Sequence, residues 1–249
     1  MHPWRRVYAL LSSCQLDSFC GDDGLAQSWA LLRKPFPISA VLRQVARVNR
    51  ALEETSVAQV ARSRNPFLVL AATLLSLRTK DETTEAAARR LFEVADTPEK
   101  MLRLSPRQIE GLIFPVGFYR KKARTLRDVS RALLEHHDGE VPKDLETLLT
   151  FKGVGRKTAN LVLTLGHDRD GICVDVHVHR ITNRWGYLKT KRPEETEMRL
   201  REILPRRHWK EINDLLVTFG KSICRPVSPF CSRCPVSRHC ARVGVRTSR

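Results

Sequence analysis

Apolar residues recur along the chain from residue 38 onward at the three- to four-residue spacing of a helix face. Val41, Leu42, Val45 and Val48 share one face of a helix that is expected over residues 38–54. The same spacing returns in segment after segment toward the C-terminus, and no segment gives the alternating apolar and polar residues of a strand. The pattern therefore predicts an all-α fold without internal repeats.

Two helix starts can be placed from capping signals in the sequence. Asn65 followed by Pro66 is typical of a cap and a first-turn proline, and predicts a helix over residues 67–77. Thr79 with Glu82 has the spacing of a capping box, and predicts that the next helix is capped there. These two starts predict where the loop between the helices lies.

The composition points to a globular protein with a polyanionic partner. The 249 residues include 44 Lys and Arg against 27 Asp and Glu, which gives a formal net charge of +17. That excess favours nucleic acid as the partner, the alternative being a basic surface kept only for solubility. A hydrophobic content of 42% argues against a ribosomal-type protein of similar charge.

Other features bear on where the protein acts. No apolar run approaches the ~20 residues that span a bilayer, so we expect no membrane association. We expect an intracellular protein, because no secretory signal is recognised. We also expect it to be a monomer. Its seven cysteines are then expected to be metal ligands or free thiols rather than disulfides. Residues 1–36 carry no motif and are expected to form a flexible N-terminal extension.

The stretch from Phe151 to Asp175 holds the main candidate chemistry. Gly153 and Gly155 allow a tight backbone turn that can approach a ligand surface closely. A helix is predicted to begin just after them, so that backbone N–H groups would face a phosphate there. Lys157 stands in the first turn of that helix, and Asp175 follows it along the chain. On a basic chain, these residues predict a backbone clamp for nucleic acid with an amine beside it.

Four cysteines near the C-terminus form a metal-ligand pattern. They are separated by six, two and five residues, at Cys224, Cys231, Cys234 and Cys240. Four thiolates this close in sequence can surround one metal centre. Zinc and a cubane iron–sulfur cluster both accept four cysteines, and the spacing by itself leaves the choice open.

Taken together, the glycine hairpin, the aspartate region and the cysteine loop resemble the endonuclease III family of DNA glycosylases. The hairpin is residues 149–159, the aspartate lies in Val-Asp-Val-His-Val-His-Arg at residues 174–180, and the cysteine spacing is that of the family's [4Fe–4S] loop. The resemblance covers residues 38–240. Each motif alone is moderately specific, whereas all three in this order are hard to attribute to chance.

The resemblance implies a helix–hairpin–helix DNA glycosylase fold, in which DNA binds in a cleft between two helical domains. A six-helix barrel domain would span residues 58–169. An iron–sulfur cluster domain would combine residues 37–57 with residues 170–249, and its four cysteines would hold a [4Fe–4S] cluster. Lys157 and Asp175 would meet at the mouth of the cleft.

The implied activity is that of a bifunctional DNA glycosylase and abasic-site lyase of base excision repair. The substrate would be double-stranded DNA with an abasic site or a damaged base, by family default an oxidised pyrimidine of the thymine glycol type. The enzyme would extrude the damaged nucleotide from the duplex. The Lys157 amine would then attack the sugar C1′, and the resulting Schiff base would allow β-elimination to cut the strand. Asp175 would stabilise positive charge on the sugar.

A second set of residues is implied to contact DNA. They are Gly153, Val154, Gly155 and Arg156 of the hairpin, His177 after the aspartate, and Arg78, Phe118, Arg120, Lys121 and Lys122 of two loops. Arg78 stands where the family commonly has a glutamine that fills the gap left by the extruded base. Phe118 stands where the family often has a leucine wedge, the alternative being a core phenylalanine.

Several alternatives stay open at this point. The protein could be a mismatch-specific glycosylase for T·G or for A opposite 8-oxoguanine, although the adenine-mismatch branch usually lacks the lysine. A pyrimidine-dimer glycosylase is a further rival. It could also be a non-catalytic helix–hairpin–helix DNA-binding protein, against which Lys157 and Asp175 both argue. Finally, Asp175, His177 and His179 could form a metal site of their own.

Overall fold

A computed structural model describes residues 35–52 and 55–249 of the chain. Twelve α-helices occur in these described residues, and no strand does. They are α1 (Ile38–Asn49), α2 (Ser56–Ala61), α3 (Pro66–Ser76), α4 (Asp81–Val94), α5 (Pro98–Arg103), α6 (Pro106–Ile113), α7 (Tyr119–His136), α8 (Leu145–Thr150), α9 (Arg156–Leu161), α10 (Val176–Arg184), α11 (Pro193–Ile203) and α12 (Ile212–Ser222). A π-helical turn, Val162–Gly166, continues α9. The predicted all-α fold is confirmed.

One of the two capping predictions is confirmed and the other is wrong. The side chain of Asn65 accepts hydrogen bonds from the backbone N–H groups of Phe67 (3.0 Å) and Leu68 (3.3 Å), at the start of α3. The next helix, α4, follows Lys80 and receives no side-chain cap. The hydroxyl of Thr79 instead accepts a hydrogen bond from a residue 38 positions away. A tertiary contact therefore takes the place of the local cap.

The first helix is shorter than its apolar pattern predicts. It ends at Asn49, whereas the pattern suggested residues 38–54, of which 53 and 54 lie outside the described part. The Asn49 side-chain amide donates to the backbone carbonyl of Leu215 (2.8 Å), in α12. This contact ties the end of α1 to a helix near the other end of the chain.

Residues 37–249 form one compact unit. The main hydrophobic core of the described residues is drawn from Phe67 to Leu163, and includes side chains of α3 through α9. The division of residues 37–249 into a barrel domain and a cluster domain remains a prediction. The expected flexible extension, residues 1–36, lies almost entirely outside the described residues.

A second packed group joins the two ends of the described chain. Helix α12 packs against both α1 and α10. Leu42 of α1, Ile181 of α10, and Leu216 and Phe219 of α12 are all buried there. Asp175 directly precedes α10, so it lies at one end of this packed group. Within the described residues, no helix has both the length and the apolar character needed to cross a bilayer.

Candidate active site

The glycine hairpin lies between α8 and α9, as the sequence predicts. Gly153 has a φ of +88°, and a Cβ there would come within 2.9 Å of the Thr125 side chain. Both the backbone conformation and the lack of space therefore favour glycine at this position. Gly155 has an extended backbone, and a Cβ there would meet no atom within 4 Å. The hairpin surface at Gly155 is therefore open for another molecule to approach the backbone.

The backbone amides of the hairpin differ in their availability. The N–H of Val154 donates to the carbonyl of Phe151 (3.0 Å) and closes the turn. The expectation that this amide binds a phosphate is therefore wrong for the conformation observed. Among the described residues, no hydrogen-bond acceptor is seen for the amides of Gly153 and Gly155. These two remain the candidates for a phosphate contact.

Lys157 and Asp175 come together, as the resemblance implies. The Lys157 Nζ lies 3.9 Å from the Asp175 Oδ2. The lysine side chain is 39% exposed, whereas the aspartate side chain is only 8% exposed. The amine thus projects from the first turn of α9 toward solvent and is backed by a buried carboxylate.

Asp175 has a structural part as well as a candidate chemical one. Its Oδ1 accepts hydrogen bonds from the backbone N–H groups of His177 (2.8 Å) and Val178 (3.0 Å), and so caps α10. The other oxygen, Oδ2, faces the Lys157 amine. The cap fixes the carboxylate, so that its free oxygen is held toward the lysine.

The pair opens into a cavity of about 290 Å³. Its lining includes Ser76, Arg78, Lys157, Asp175, His177 and Asn213, from α3, α9, α10 and α12 and the loop after α3. Small-molecule pockets begin at roughly 300 Å³, so the cavity approaches the size of a site for one small group. A compact planar group that entered it would lie beside the Lys157 amine.

The two histidines after Asp175 have separate partners. The His177 Nδ1 lies 3.1 Å from the Arg180 guanidinium, and burial lowers the pKa of His177. The His179 Nδ1 lies 2.7 Å from the hydroxyl of Thr196. In the described part of the chain, no three His, Cys, Asp or Glu side chains are placed to hold one metal ion. The alternative metal site of Asp175, His177 and His179 is therefore not formed.

The two loops expected to contact DNA lie side by side. Arg78 and Phe118 are both exposed, and the Arg78 guanidinium lies 5.6 Å from the centre of the Phe118 ring. Phe118 is 61% exposed, so the alternative of a core phenylalanine is wrong. Arg120 and Lys121 are exposed at the start of α7.

Lys122 differs from the other basic residues of its loop. Only 7% of its surface is exposed, and its ammonium donates to the carbonyls of Leu75 (2.7 Å) and Leu77 and to the Thr79 hydroxyl (3.0 Å). The expectation that it neutralises a DNA phosphate is wrong. Its position in the sequence among Arg120 and Lys121 gave no sign of this, because burial depends on the fold.

The four cysteines are brought together near the C-terminus of the chain. All of them line one small cavity, which is bounded by Cys224, Cys231, Cys234, Cys240, Trp185 and Phe230. The Arg184 guanidinium donates to the Cys224 sulfur (3.6 Å), and the Arg242 backbone N–H donates to the Cys240 sulfur (3.3 Å). Burial raises the pKa of the Cys234 thiol to about 11. Such thiols ionise readily only when a positively charged centre replaces their protons.

Comparison with known proteins decides the family. Residues 71–206 match the family model described as "HhH-GPD superfamily base excision DNA repair protein". The chain belongs to this superfamily. Its relatives place it in the endonuclease III family: endonuclease III of Thermotoga maritima is 48% identical over 176 residues, which are 71% of this chain and 83% of that protein. This membership confirms the expected enzyme class, a DNA glycosylase and abasic-site lyase.

A second relative and a solved structure agree with this assignment. Endonuclease III of Escherichia coli is 35% identical over 176 residues, again 71% of this chain and 83% of that protein. A solved non-covalent endonuclease III–DNA complex superposes with a TM-score of 0.74 at 32% identity, over 82% of this chain and 94% of that one. This base excision repair glycosylase thus shares both sequence and fold with the endonuclease III proteins.

One feature of the glycosylase site was not foreseen from its sequence. Glu197 of α11 is almost fully buried and receives two hydrogen bonds from Arg156 (2.7 and 3.0 Å) and two from Arg201 (3.0 and 3.2 Å). Burial alone would raise the pKa of Glu197, but the hydrogen bonds from Arg156 and Arg201 outweigh it and lower that pKa. The side chain of Arg156, expected at DNA, is instead engaged here. The network anchors the first turn of α9, which carries Lys157.

No local signal in the sequence could have identified this network. Glu197 stands among other acidic and basic residues of an ordinary amphipathic helix. Glu197 lies 41 positions after Arg156, and the fold brings the two side chains together. Only a matched change at both positions among related sequences could have paired them beforehand.

Proposed function

We propose that this glycosylase removes oxidised pyrimidines of the thymine glycol type from double-stranded DNA and cuts the strand through a Schiff base at Lys157. The observation that carries the proposal is the Lys157 amine, 3.9 Å from the Asp175 carboxylate, in a cavity of about 290 Å³. A non-catalytic binding module would gain nothing from an amine held in this way.

The chemistry begins when the damaged nucleotide leaves the base stack and enters the cavity. The unprotonated Lys157 amine attacks the sugar C1′, the bond between C1′ and the base breaks, and the base leaves with that electron pair and takes up a proton. Loss of the amine proton and opening of the sugar ring give an imine. The imine makes the C2′ proton acidic, and its removal expels the 3′ phosphate.

Asp175 supports this sequence through its charge. Positive charge develops on the sugar as the base departs, and a fixed carboxylate nearby lowers the energy of that state. Because Oδ1 is held by two backbone N–H groups, the carboxylate does not have to reorient during the reaction. The amides of Gly153 and Gly155 bind a backbone phosphate, which fixes the register without reading sequence.

The arginine-rich surface near the cysteine loop supports DNA binding. The guanidinium groups of Arg225, Arg233 and Arg249 lie 5.2, 4.0 and 4.9 Å from the centre of the Phe230 ring. Three cations on one ring form a compact positive patch suited to phosphates. The proposed complex has one protein molecule on the duplex.

We further propose that the four cysteines hold a [4Fe–4S] cluster. All four thiols line one cavity, and their spacing of six, two and five residues is that of the [4Fe–4S] loop of the endonuclease III family. The hydrogen bonds from Arg184 and Arg242 to two of the sulfurs would stabilise bound thiolates. When bound, the cluster would order the loop that carries the positive patch. Protein purified without air should be brown and contain iron and sulfide, whereas a colourless zinc protein would contradict the proposal.

The substrate proposal is tested with four duplexes, each incubated with and without borohydride. They carry thymine glycol, an abasic site, a T·G mismatch, or A opposite 8-oxoguanine. We expect strand cleavage and a covalent adduct with thymine glycol and with the abasic site. Base release from a mismatch alone would instead assign the enzyme to a mismatch-specific branch. Adduct formation at the abasic site alone would leave the lyase step standing and overturn the substrate class.

A further inference from the structure

The two loops that carry Arg78 and Phe118 hold unusual backbone conformations. Arg78 has a φ of +53° and Phe118 a φ of +58°, which is the left-handed region. Such conformations cost on the order of 1–3 kcal/mol in residues other than glycine, and persist only where the surroundings impose them. Something in the protein therefore holds both loops in place.

The buried ammonium of Lys122 holds the first loop. Helix α3 ends at Ser76, and its last carbonyls have no partner within the helix. Lys122 comes from α7 and donates to two of the carbonyls at this end, those of Leu75 (2.7 Å) and Leu77. Its third proton goes to the Thr79 hydroxyl (3.0 Å). The three donors of one ammonium thus fix the chain on both sides of Arg78.

The hydroxyl of Thr79 joins the first loop to the second. It accepts a hydrogen bond from the backbone N–H of Gly117 (3.2 Å) as well as the one from Lys122. At Gly117 the two loops touch through their backbones, because a Cβ there would lie 2.6 Å from the Arg78 carbonyl oxygen. Lys122, Thr79 and Gly117 thus form one unit, here called the loop clamp.

A packing role alone would not require a lysine at position 122. An ammonium loses hydration when it is buried, and burial lowers the pKa of Lys122 to about 8. A methionine would fill similar space without that cost. What the ammonium adds is three directed hydrogen bonds, and all three end on the chain around Arg78.

We propose that Lys122 and Thr79 are positioning residues, which hold Arg78 and Phe118 at a preset separation so that both enter the duplex together as the damaged base is extruded. The proposal rests on the proposed function, since it assigns these two exposed side chains to DNA. Arg78 and Phe118 would touch the bases, and the loop clamp would act through them. It therefore matters for opening the duplex, and less for chemistry at a site that has already lost its base.

The test uses Thr79→Val, which removes the hydroxyl but keeps the shape, and Thr79→Ser, which keeps the hydroxyl. Thr84→Val is the matched control, because Thr84 is fully buried and its hydroxyl donates to the carbonyl of Lys80 (2.9 Å), at the N-cap of its own helix, and not to the second loop. Two readouts are compared. One is single-turnover base excision from the lesion duplex that the unaltered enzyme cleaves, and the other is borohydride trapping on a duplex with an abasic site.

We expect Thr79→Val to slow base excision about tenfold, as expected for the loss of two or three hydrogen bonds, and to trap the abasic site at close to the normal rate. Thr79→Ser should excise the base at close to the normal rate. Thr84→Val should leave the ratio of the excision rate to the trapping rate unchanged. Equal losses in both readouts, or an equal loss in Thr84→Val, would mean general destabilisation and would overturn the proposal.

A fluorescence readout separates this proposal from the proposed function. The duplex carries a tetrahydrofuran abasic analogue with 2-aminopurine opposite it, so that no chemistry is needed. Insertion of Arg78 and Phe118 should unstack the 2-aminopurine and raise its emission with the unaltered protein and Thr79→Ser, and less with Thr79→Val. An equal rise with Thr79→Val would refute the loop clamp even in an active enzyme. Failure of the unaltered protein to excise any base would refute the proposed function, and the emission comparison would still decide the clamp.

Discussion

Two lysines lie in two neighbouring regions of the molecule and have opposite surroundings. Lys157, at the start of α9, is partly exposed and faces a carboxylate 3.9 Å away. Lys122, in α7, is buried and surrounded by carbonyl and hydroxyl oxygens. The first amine is free to leave its partner and react, whereas the second is committed to three hydrogen bonds. Under the proposed function, the same type of side chain would therefore serve chemistry in one region and architecture in the other.

The difference between the regions lies in which partners can be exchanged. A substrate could enter beside both Lys157 and Asp175, because their cavity opens to solvent and the carboxylate is held in place by its other oxygen at the start of α10. Lys122 is buried, and its three donors are already used at the end of α3 and at Thr79. Substitutions in the hairpin region should then alter rates, and substitutions in the loop region should alter stability and duplex opening.

The largest effect is expected from Lys157→Gln. The variant keeps the length and polarity of the side chain but has no nucleophile, so borohydride trapping should fall by more than about a thousandfold. Affinity for duplex DNA should change little, because the hairpin backbone and basic surface are intact. Lys143→Gln, an exposed lysine in the loop before α8, is the control and should trap normally. Undiminished strand cleavage at abasic sites by Lys157→Gln would contradict the assigned nucleophile.

The next largest effect is expected from Asp175→Asn. Asparagine caps helices as well as aspartate does, so the free energy of unfolding should stay nearly constant. The negative charge beside Lys157 is lost, and single-turnover base excision should slow by about a hundredfold or more. Asp175→Ala is the comparison, since it should also lose about 1 kcal/mol from the missing cap. Normal base excision by Asp175→Asn would show that this residue acts only as a helix cap.

Glu197→Gln tests how firmly the Lys157 helix is anchored. The free energy of unfolding should fall by about 2–3 kcal/mol. This is less than the loss expected when a fully buried ion pair is broken, because glutamine keeps some hydrogen bonds and Arg156 is partly exposed. Glu195→Gln is the control, because Glu195 lies on the same helix and pairs with Arg192 at the surface. It should change stability by no more than about 0.5 kcal/mol in urea unfolding.

The same variant should also change the acid limb of the stability curve. The folded protein holds the pKa of Glu197 below its ordinary value of 4.5, so the unfolded chain binds that proton more readily. The stabilisation is then present above about pH 4.5 and is lost as the pH falls through the lower, folded-state value. The free energy of unfolding, measured in urea, should fall more steeply between neutral and acid pH for the unaltered protein than for Glu197→Gln. Parallel curves would show that this carboxylate is not the one that titrates.

The smallest effect is expected from Lys122→Met. Carbonyls at the end of α3 lose their partner, which costs about 1–3 kcal/mol, while removal of a buried charge offsets part of that loss. Urea unfolding should therefore show a modest decrease in stability, with abasic-site trapping retained. Lys121→Met, next to it and exposed, should leave the unfolding free energy unchanged. A more stable Lys122→Met protein that still opens DNA normally would remove the contrast between the two lysines.

The sequence predicted much of the fold because the apolar spacing and the capping residues that indicate a helix lie within or next to that helix. Apolar spacing identified the helices, and the Asn65–Pro66 signal placed the start of α3. The Thr79 prediction failed because the hydroxyl of Thr79 bonds to Gly117, which lies far away in the chain. Local patterns cannot anticipate a competing tertiary partner of this kind.

The same limit applies to the candidate site. Lys157, Asp175 and the four cysteines could be named from motifs, since those motifs concentrate reactive side chains within short segments. That Lys157 and Asp175 lie 3.9 Å apart depends on how the chain between them folds, which no local pattern gives. The burial of Lys122 depended on long-range packing, and a run of three basic residues gave the opposite expectation.

The loop clamp also bears on how the protein would search a genome. A DNA-binding protein meets ~10⁶–10⁹ intact competing sites for the ones it must find. A loop that had to become ordered at each base pair would lose conformational entropy at every test, and would lengthen each visit. Loops whose order is already established by a buried ammonium lose that entropy once, when the chain folds. The time spent at each undamaged base pair would then not include the ordering of these two loops.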